Sequence, residues 1–199
     1  DGAWDFSDGL ALVQKYEKWG FIDTTGQLVI PCEWDGAWDF SDGLAYVRKD
    51  GKYGFIDTTG NLVVPCEWDV AYSFSGGLAP VKKDEKWGFI DETGKLVVPC
   101  EWDDAHSFND GLALVKKDEK WGYIDTSGQL VVPCEWDVAY IFRDGLALVK
   151  KDKKYGLIDA SGALVVPCEY DSIAYADGRI FKIKNGYLTI EDLDGNRIF

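Results

Sequence analysis

The tripeptide Pro-Cys-Glu begins at Pro31, Pro65, Pro99, Pro133 and Pro167, always 34 residues apart. A period this strict constrains the fold more than any total could, because it writes one supersecondary unit five times over. A Trp/Tyr-Gly step keeps the same spacing at Trp19, Tyr53, Trp87, Trp121 and Tyr155. Taking the repeated Leu-Ala as the start divides the chain into full units at 10–43, 44–77, 78–111, 112–145 and 146–178. Residues 1–9 copy residues 35–43 one for one, so they read as the tail of a preceding unit in a single repeat-array domain. Residues 179–199 are a degenerate half-unit, in which Arg179 stands for the repeated Leu, Lys182 for Val, Thr189 for Gly and Glu191 for Ile. Apolar positions turning polar at the last unit are expected of a cap whose outer face meets water.

The pattern inside a unit is β. Leu10 to Lys15 is a short apolar run that turns polar, and Asp50-Gly51 or Asp84-Glu85 after its equivalents is tight-turn chemistry. Lys18 to Asp23 alternates as a second strand, and Thr24-Thr25-Gly26 is the next turn. Leu28-Val29-Ile30 is a third strand, ended by Pro31, which has no N–H to donate. Trp34 to Gly43 reads as loop or irregular extension, and no window reads as a helix. Pro80 in the first strand of its unit suggests that this strand is an edge, and the Lys82-Lys83, Lys116-Lys117 and Lys150-Lys151 pairs then protect it from aggregation.

A three-stranded meander cannot bury both faces alone, so stacking on neighbours is what makes such units stable. The expected fold is an open β-solenoid or superhelix of stacked antiparallel meanders. A closed propeller-like ring of about six blades is the alternative.

Lys-Trp-Gly-Phe-Ile-Asp at residues 18–23, followed by Thr-Gly-x-Leu-Val-x-Pro and the Asp-Gly-Leu-Ala step, resembles the WG (KWG) β-repeat of bacterial proteins. The likeness covers nearly the whole chain and departs at Tyr53, Tyr155 and the final half-unit. It implies a repeat protein, often joined to other modules, and brings no catalytic residues or cofactor.

Lys plus Arg number 21 and Asp plus Glu 35, a net charge of −14 that repels phosphate backbones and anionic lipid. No apolar run approaches the ~20 residues of a membrane helix. Nucleic acid and a membrane span are therefore set aside as partners, while a signal peptide upstream of Asp1 stays open.

Cys32, Cys66, Cys100, Cys134 and Cys168 look most like a chemical site, yet zinc sites use closely paired ligands and none is present. They read as small hydrophobes at inter-unit contacts, and unpaired thiols point to a reducing, cytoplasmic compartment. Asp23 and its four equivalents read as turn-closing carboxylates. Glu33, Glu67, Glu101, Glu135 and Glu169 read as exposed or salt-bridged to lysine, with cation holding a lesser alternative in the absence of a Ca²⁺-loop pattern. The single histidine, His106, stands in a column of aromatic positions, Trp4, Trp38, Tyr72, His106 and Tyr140, without a nucleophile beside it. No enzyme is expected.

Where the units agree marks core and turns: Ala11, Val13, Gly20, Ile22, Gly26, Leu28, Val29, Pro31 and Cys32 recur in every full unit. Trp34, Trp68, Trp102, Trp136 and Tyr170, and the Trp/Tyr of the Trp-Gly step, are assigned to structure. Differences gather at 36–42 and its equivalents, around Trp4, Trp38, Tyr72, His106 and Tyr140, which are the candidate binding residues. The expected function is a non-catalytic scaffold that recognises a protein or peptide through this variable loop surface. The alternative is glycan or cell-wall binding along the aromatic column, which requires Trp38 and Tyr72 side by side in solvent.

Overall fold

A computed structural model describes residues 2–193 and 195–198. Every regular element among them is a β-strand, so none is a helix long and apolar enough to cross a membrane. The chain divides into two compact units, Asp1–Phe108 and Asn109–Phe199.

The first unit holds β1 (Gly2–Ser7), β2 (Leu10–Lys15), β3 (Lys18–Asp23) and β4 (Leu28–Trp34), then β5 (Gly36–Ala37), β6 (Leu44–Lys49), β7 (Lys52–Asp57) and β8 (Leu62–Trp68). It continues with β9 (Val70–Ala71), β10 (Leu78–Lys83), β11 (Lys86–Asp91), β12 (Leu96–Trp102) and β13 (Asp104–Ala105). Three antiparallel sheets result, in the orders β1-β2-β3-β4, β5-β6-β7-β8 and β9-β10-β11-β12. The second unit holds the meander of β14 (Leu112–Lys117), β15 (Lys120–Asp125) and β16 (Leu130–Trp136). Beside it are a four-stranded sheet of β17 (Val138–Ala139), β18 (Leu146–Lys151), β19 (Lys154–Asp159) and β20 (Leu164–Tyr170), and a three-stranded one of β21 (Ser172–Ala176), β22 (Arg179–Lys184) and β23 (Tyr187–Asp192). Every pairing described is antiparallel, and each sheet runs from one edge strand to another without closing on itself.

The meander read from sequence is therefore present, with an addition. Residues 34–43 are not all loop: Gly36–Ala37 pairs with Arg48 and Val47 and gives the following meander a short fourth strand. Each such sheet thus joins the tail of one sequence unit to the body of the next. Consequently β6, β10 and β18 are inner strands, which corrects the reading of Pro80 as an edge residue. Pro80 is tolerated because its nitrogen faces the two-residue β9, whose ladder covers only Val81 and Lys82. The neighbouring lysines do not guard an edge either. Lys82 lies over the Trp87 ring at 5.6 Å, and Lys83 reaches Glu67 at 3.5 Å.

The Trp-Gly and Pro-Cys-Glu motifs explain each other. Trp19 faces Trp34 and Phe21 faces Ile30, so Gly20 alone stands opposite Pro31, Cys32 and Glu33. This bulge presses the backbone of β4 onto β3, and a Cβ at Gly20 would lie 2.4 Å from the Ile30 carbonyl oxygen. In the next sheet a Cβ at Gly54 would meet the Cys66 Sγ at 2.9 Å. All five cysteines are free and half-buried, and Cys66, Cys100 and Cys168 pack against the hydrophobic clusters of their own units. Burial pushes the Cys66, Cys100, Cys134 and Cys168 thiols up, which withholds the thiolate a reactive site would need.

Sheets within a unit are packed face to face. Phe55 and Ile56 point to opposite faces of β7 and both are fully buried, because neighbours cover both sides. Phe21 meets Phe40 edge-on at 4.9 Å, and Phe55 meets Phe74 at 4.8 Å. Ser7 and Ser41 each donate a hydroxyl to the carbonyl of the phenylalanine 33 residues on, Phe40 and Phe74. Trp34, Trp68, Trp102 and Trp136 are buried, as expected of inter-unit glue.

Two further expectations are corrected. Leu28, Leu62, Leu96, Leu130 and Leu164, assigned to the core, are 43–56% exposed on the outer strands. In the last sheet Lys182 is not in water: it is 6% exposed, pairs with Glu191 and lies 5.0 Å from the Tyr170 ring. A buried Val and Ile of earlier units have become an ion pair between buried Lys182 and half-buried Glu191, which satisfies both charges. Arg179 is exposed, as read.

Candidate functional site

Most residues that recur in every unit are occupied by the fold. Asp23 Oδ1 accepts from the Thr25 N–H at 2.8 Å, the Thr25 hydroxyl at 2.6 Å and the Gln27 N–H at 3.0 Å. Asp57, Asp91, Asp125 and Asp159 make the same turn, and the Thr or Ser hydroxyl holds each carboxyl below its ordinary range, Asp57 at about 2. Glu33, Glu67, Glu135 and Glu169 pair with Lys49, Lys83, Lys151 and Lys184, as the sequence suggested.

Sequence reasoning passed over a third column, Asp35, Asp69, Asp137 and Asp171. Asp35 accepts from Lys18 and from the Asp50 N–H at 2.8 Å, so it ties β3 to the hairpin that follows β6. Asp69 holds Lys52 and the Asp84 N–H, Asp137 holds Lys120 and the Asp152 N–H. The signal was available, since an Asp follows the Trp/Tyr of every Cys-Glu-Trp/Tyr. The turns so capped have two residues at positive φ, as in Asp50 (52°) and Gly51 (78°), which is the backbone of a tight hairpin.

The residues that differ between units are brought elsewhere, into clefts between adjacent sheets of the same compact unit. The first, of about 430 Å³, is lined by Trp4, Leu12, Trp19, Trp38, Asp39 and Arg48, with Asp35 to Ala37 as its wall. The second, of about 480 Å³, is lined by Tyr46, Tyr72, Ser73, Asp104, His106 and Ser107. In the second compact unit a cleft of about 380 Å³ lies between Tyr140-Ile141 and Ile173–Tyr175, with Arg143 and Leu148. The candidate column is thus distributed one or two rings to a cleft.

Several of these rings are supported from behind. Trp4 lies on Trp19 at 4.7 Å, Trp38 is stacked on Tyr46 at 4.4 Å and 10°, and Tyr72 is stacked on Trp87 at 5.4 Å and 7°. Burial lifts the Tyr46 phenol to about 12, so it stays neutral. The Trp-Gly aromatics are accordingly half-buried platforms, except Trp87, which is buried. Trp4, Tyr72 and Tyr140 are about half exposed and His106 is exposed, whereas Trp38 is more enclosed, with one face on Tyr46. Trp38 and Tyr72 therefore do not form the even, solvent-facing row that a continuous glycan platform requires.

A profile of the WG containing repeat matches residues 1–19, 19–53, 53–87, 87–121, 121–155 and 155–187. Comparison with curated protein sequences gives no match. Among solved structures, the chain is similar to a eukaryotic initiation factor (TM-score 0.56, 13% identity, covering 96% of this chain and 62% of that one). It is also similar to Hsv2 of Kluyveromyces lactis (TM-score 0.52, 7% identity, 93% and 70%) and to the WD40 β-propeller domain of Doa1 (TM-score 0.41, 15% identity, 97% and 78%). At these identities the likeness to the first two shows the fold alone. The chain spans less than two thirds of the first of these proteins.

Proposed function

We propose that this chain, which belongs to the WG-repeat family, is an interaction scaffold that holds a partner polypeptide against clefts between its sheets, foremost the one at Tyr72 and Ser73. One observation carries the reading: the clefts are lined by the positions at which the units differ, while the positions at which they agree mostly serve turns, bulges and packing. The clefts differ in character as well. Asp39 and Arg48 edge the first, Asp104 and His106 the second, and Ile141, Ile173 and Arg143 the third. Two unlike clefts within the first compact unit suit a polymer of unlike side chains, which is a polypeptide; a homopolymeric glycan would be matched by uniform ones. Half-exposed rings on firm supports supply contact area at low entropic cost, as at protein interfaces. The role is binding without chemistry, and the raised thiols and turn-bound carboxylates support it.

The test is selection of a random peptide library on the intact chain, followed by binding of the enriched peptides to variants. Substitution of Tyr72 or Ser73 by alanine is expected to weaken binding on the order of tenfold. Substitution of Glu33 or Lys49, on the ion-paired edge, is expected to leave it unchanged. Failure to enrich any peptide, or equal loss from both kinds of variant, would remove the basis for the reading.

A further inference from the structure

The cleft between the first two sheets differs from the other two in ways that name a ligand. It alone among the three gathers three indoles, Trp4, Trp19 and Trp38. Two of them bring the outer edge of the six-membered ring over a glycine: a Cβ at Gly2 would touch the Trp4 ring at 3.1 Å, and one at Gly36 would touch the Trp38 ring at 3.1 Å. The equivalents of Gly36 are Val70 before Tyr72, Asp104 before His106 and Val138 before Tyr140. Glycine therefore accompanies the large ring at both places that flank this cleft, and a side chain accompanies the smaller rings. Trp4 is backed by Trp19 and stays about half exposed, and Trp38 is half-buried and backed by Tyr46.

We propose that this cleft is a carbohydrate site that takes a β-linked glucose or N-acetylglucosamine ring against the indoles of Trp4 and Trp38. A pyranose of that configuration presents a flat face of C–H bonds to an aromatic surface and a rim of hydroxyls to polar groups. The rim here supplies one acceptor, the exposed Asp39, and one donor, Arg48. Asp35 is already engaged by Lys18 and the Asp50 N–H, so it forms wall, not hydrogen-bonding rim. One available carboxylate beside one guanidinium leaves the cleft near neutral, which disfavours a strongly cationic or anionic ligand and suits a neutral one with donors and acceptors. A volume of about 430 Å³ has room for one or two sugar rings. The cleft at Tyr140 and Tyr175, which lacks both tryptophan and carboxylate, offers no such site.

The test is saturation-transfer-difference NMR on the intact chain with two uncharged probes, cellotetraose and chitotetraose. Transfer to the C–H protons of at least one is expected, with an affinity on the order of millimolar. Trp4→Ala and Asp39→Ala are each expected to weaken binding on the order of tenfold, with Tyr140→Ala unchanged. Asp39 is exposed, so its variant keeps the fold and decides the matter should Trp4→Ala unfold the first sheet. Absence of transfer from both sugars, or full affinity in Asp39→Ala, overturns the proposal. Peptides that bind at Tyr72 without any sugar binding would overturn it too, and would leave the polypeptide reading standing.

Discussion

Asp35 and Trp38 are three residues apart, yet they belong to regions under opposite constraints. Asp35 lies on an edge where the units repeat the same contacts: Lys18 to Asp35, Lys52 to Asp69, Lys120 to Asp137 and Lys154 to Asp171. Trp38 lies in a cleft where the units differ, with Trp on a Gly background, Tyr on Val, His on Asp and Tyr on Val again. The edge repeats because each carboxylate closes a hairpin whose geometry is the same every time. The cleft is released from that demand, since the fold needs only that some ring cover the platform beneath it.

Three experiments would break or sharpen this contrast. The largest effect is expected from Gly54→Ala, in the invariant set. Its Cβ would lie 2.5 Å from the Val64 carbonyl oxygen and 2.8 Å from the Cys66 nitrogen, backbone that cannot turn aside. A loss of about 3 kcal/mol is expected in urea unfolding. A loss below about 1 kcal/mol would mean that the bulge is softer than it looks.

Acid comes next. Folding lowers Asp57 from 3.8 to about 2, and Asp23, Asp91, Asp125 and Asp159 shift the same way through their turn hydrogen bonds. Asp35, Asp69, Asp137 and Asp171 are lowered by lysine and by the hairpin N–H. A depressed carboxyl contributes stability above its unfolded pKa and loses it as pH falls through the folded one. Stability followed by circular dichroism should therefore be level above about pH 4 and collapse cooperatively toward about pH 2. Asp57→Asn should shallow that slope, and an unaltered slope would show that these turns do not govern acid stability.

The smallest effect on stability is expected from Gly36→Val, which imports the residue of the second and fourth full units, Val70 and Val138, into the variable face. A Cβ at position 36 would lie 3.1 Å from the Trp38 ring, so the indole must shift and its stacking on Tyr46 is disturbed while the sheet retains its strands. Near-ultraviolet circular dichroism should lose the signal of the stacked pair while the unfolding midpoint moves little. A large drop in midpoint would place Trp38 with the structural residues.

Much of the fold was legible in the repeat itself. The strand order within a unit, the turns at Asp50-Gly51 and Thr24-Thr25-Gly26, and the carboxylate that closes the latter all follow from residues a few positions apart. So did the two classes of surface, because comparing five copies separates what the unit requires from what it tolerates. The tertiary structure alone decided which faces meet. Pro80 sits in an inner strand because the short strand beside it comes from the preceding unit, a pairing that no single unit's pattern contains. Leu28 recurs yet stays exposed, because its side of the outer strand lies beyond the neighbour that buries Ile30. Lys182 is buried because Glu191 folds back beside it across one hairpin. The clefts, too, are made by residues about 34 positions apart. Local chemistry fixes the unit; burial and binding depend on what the next unit places against it.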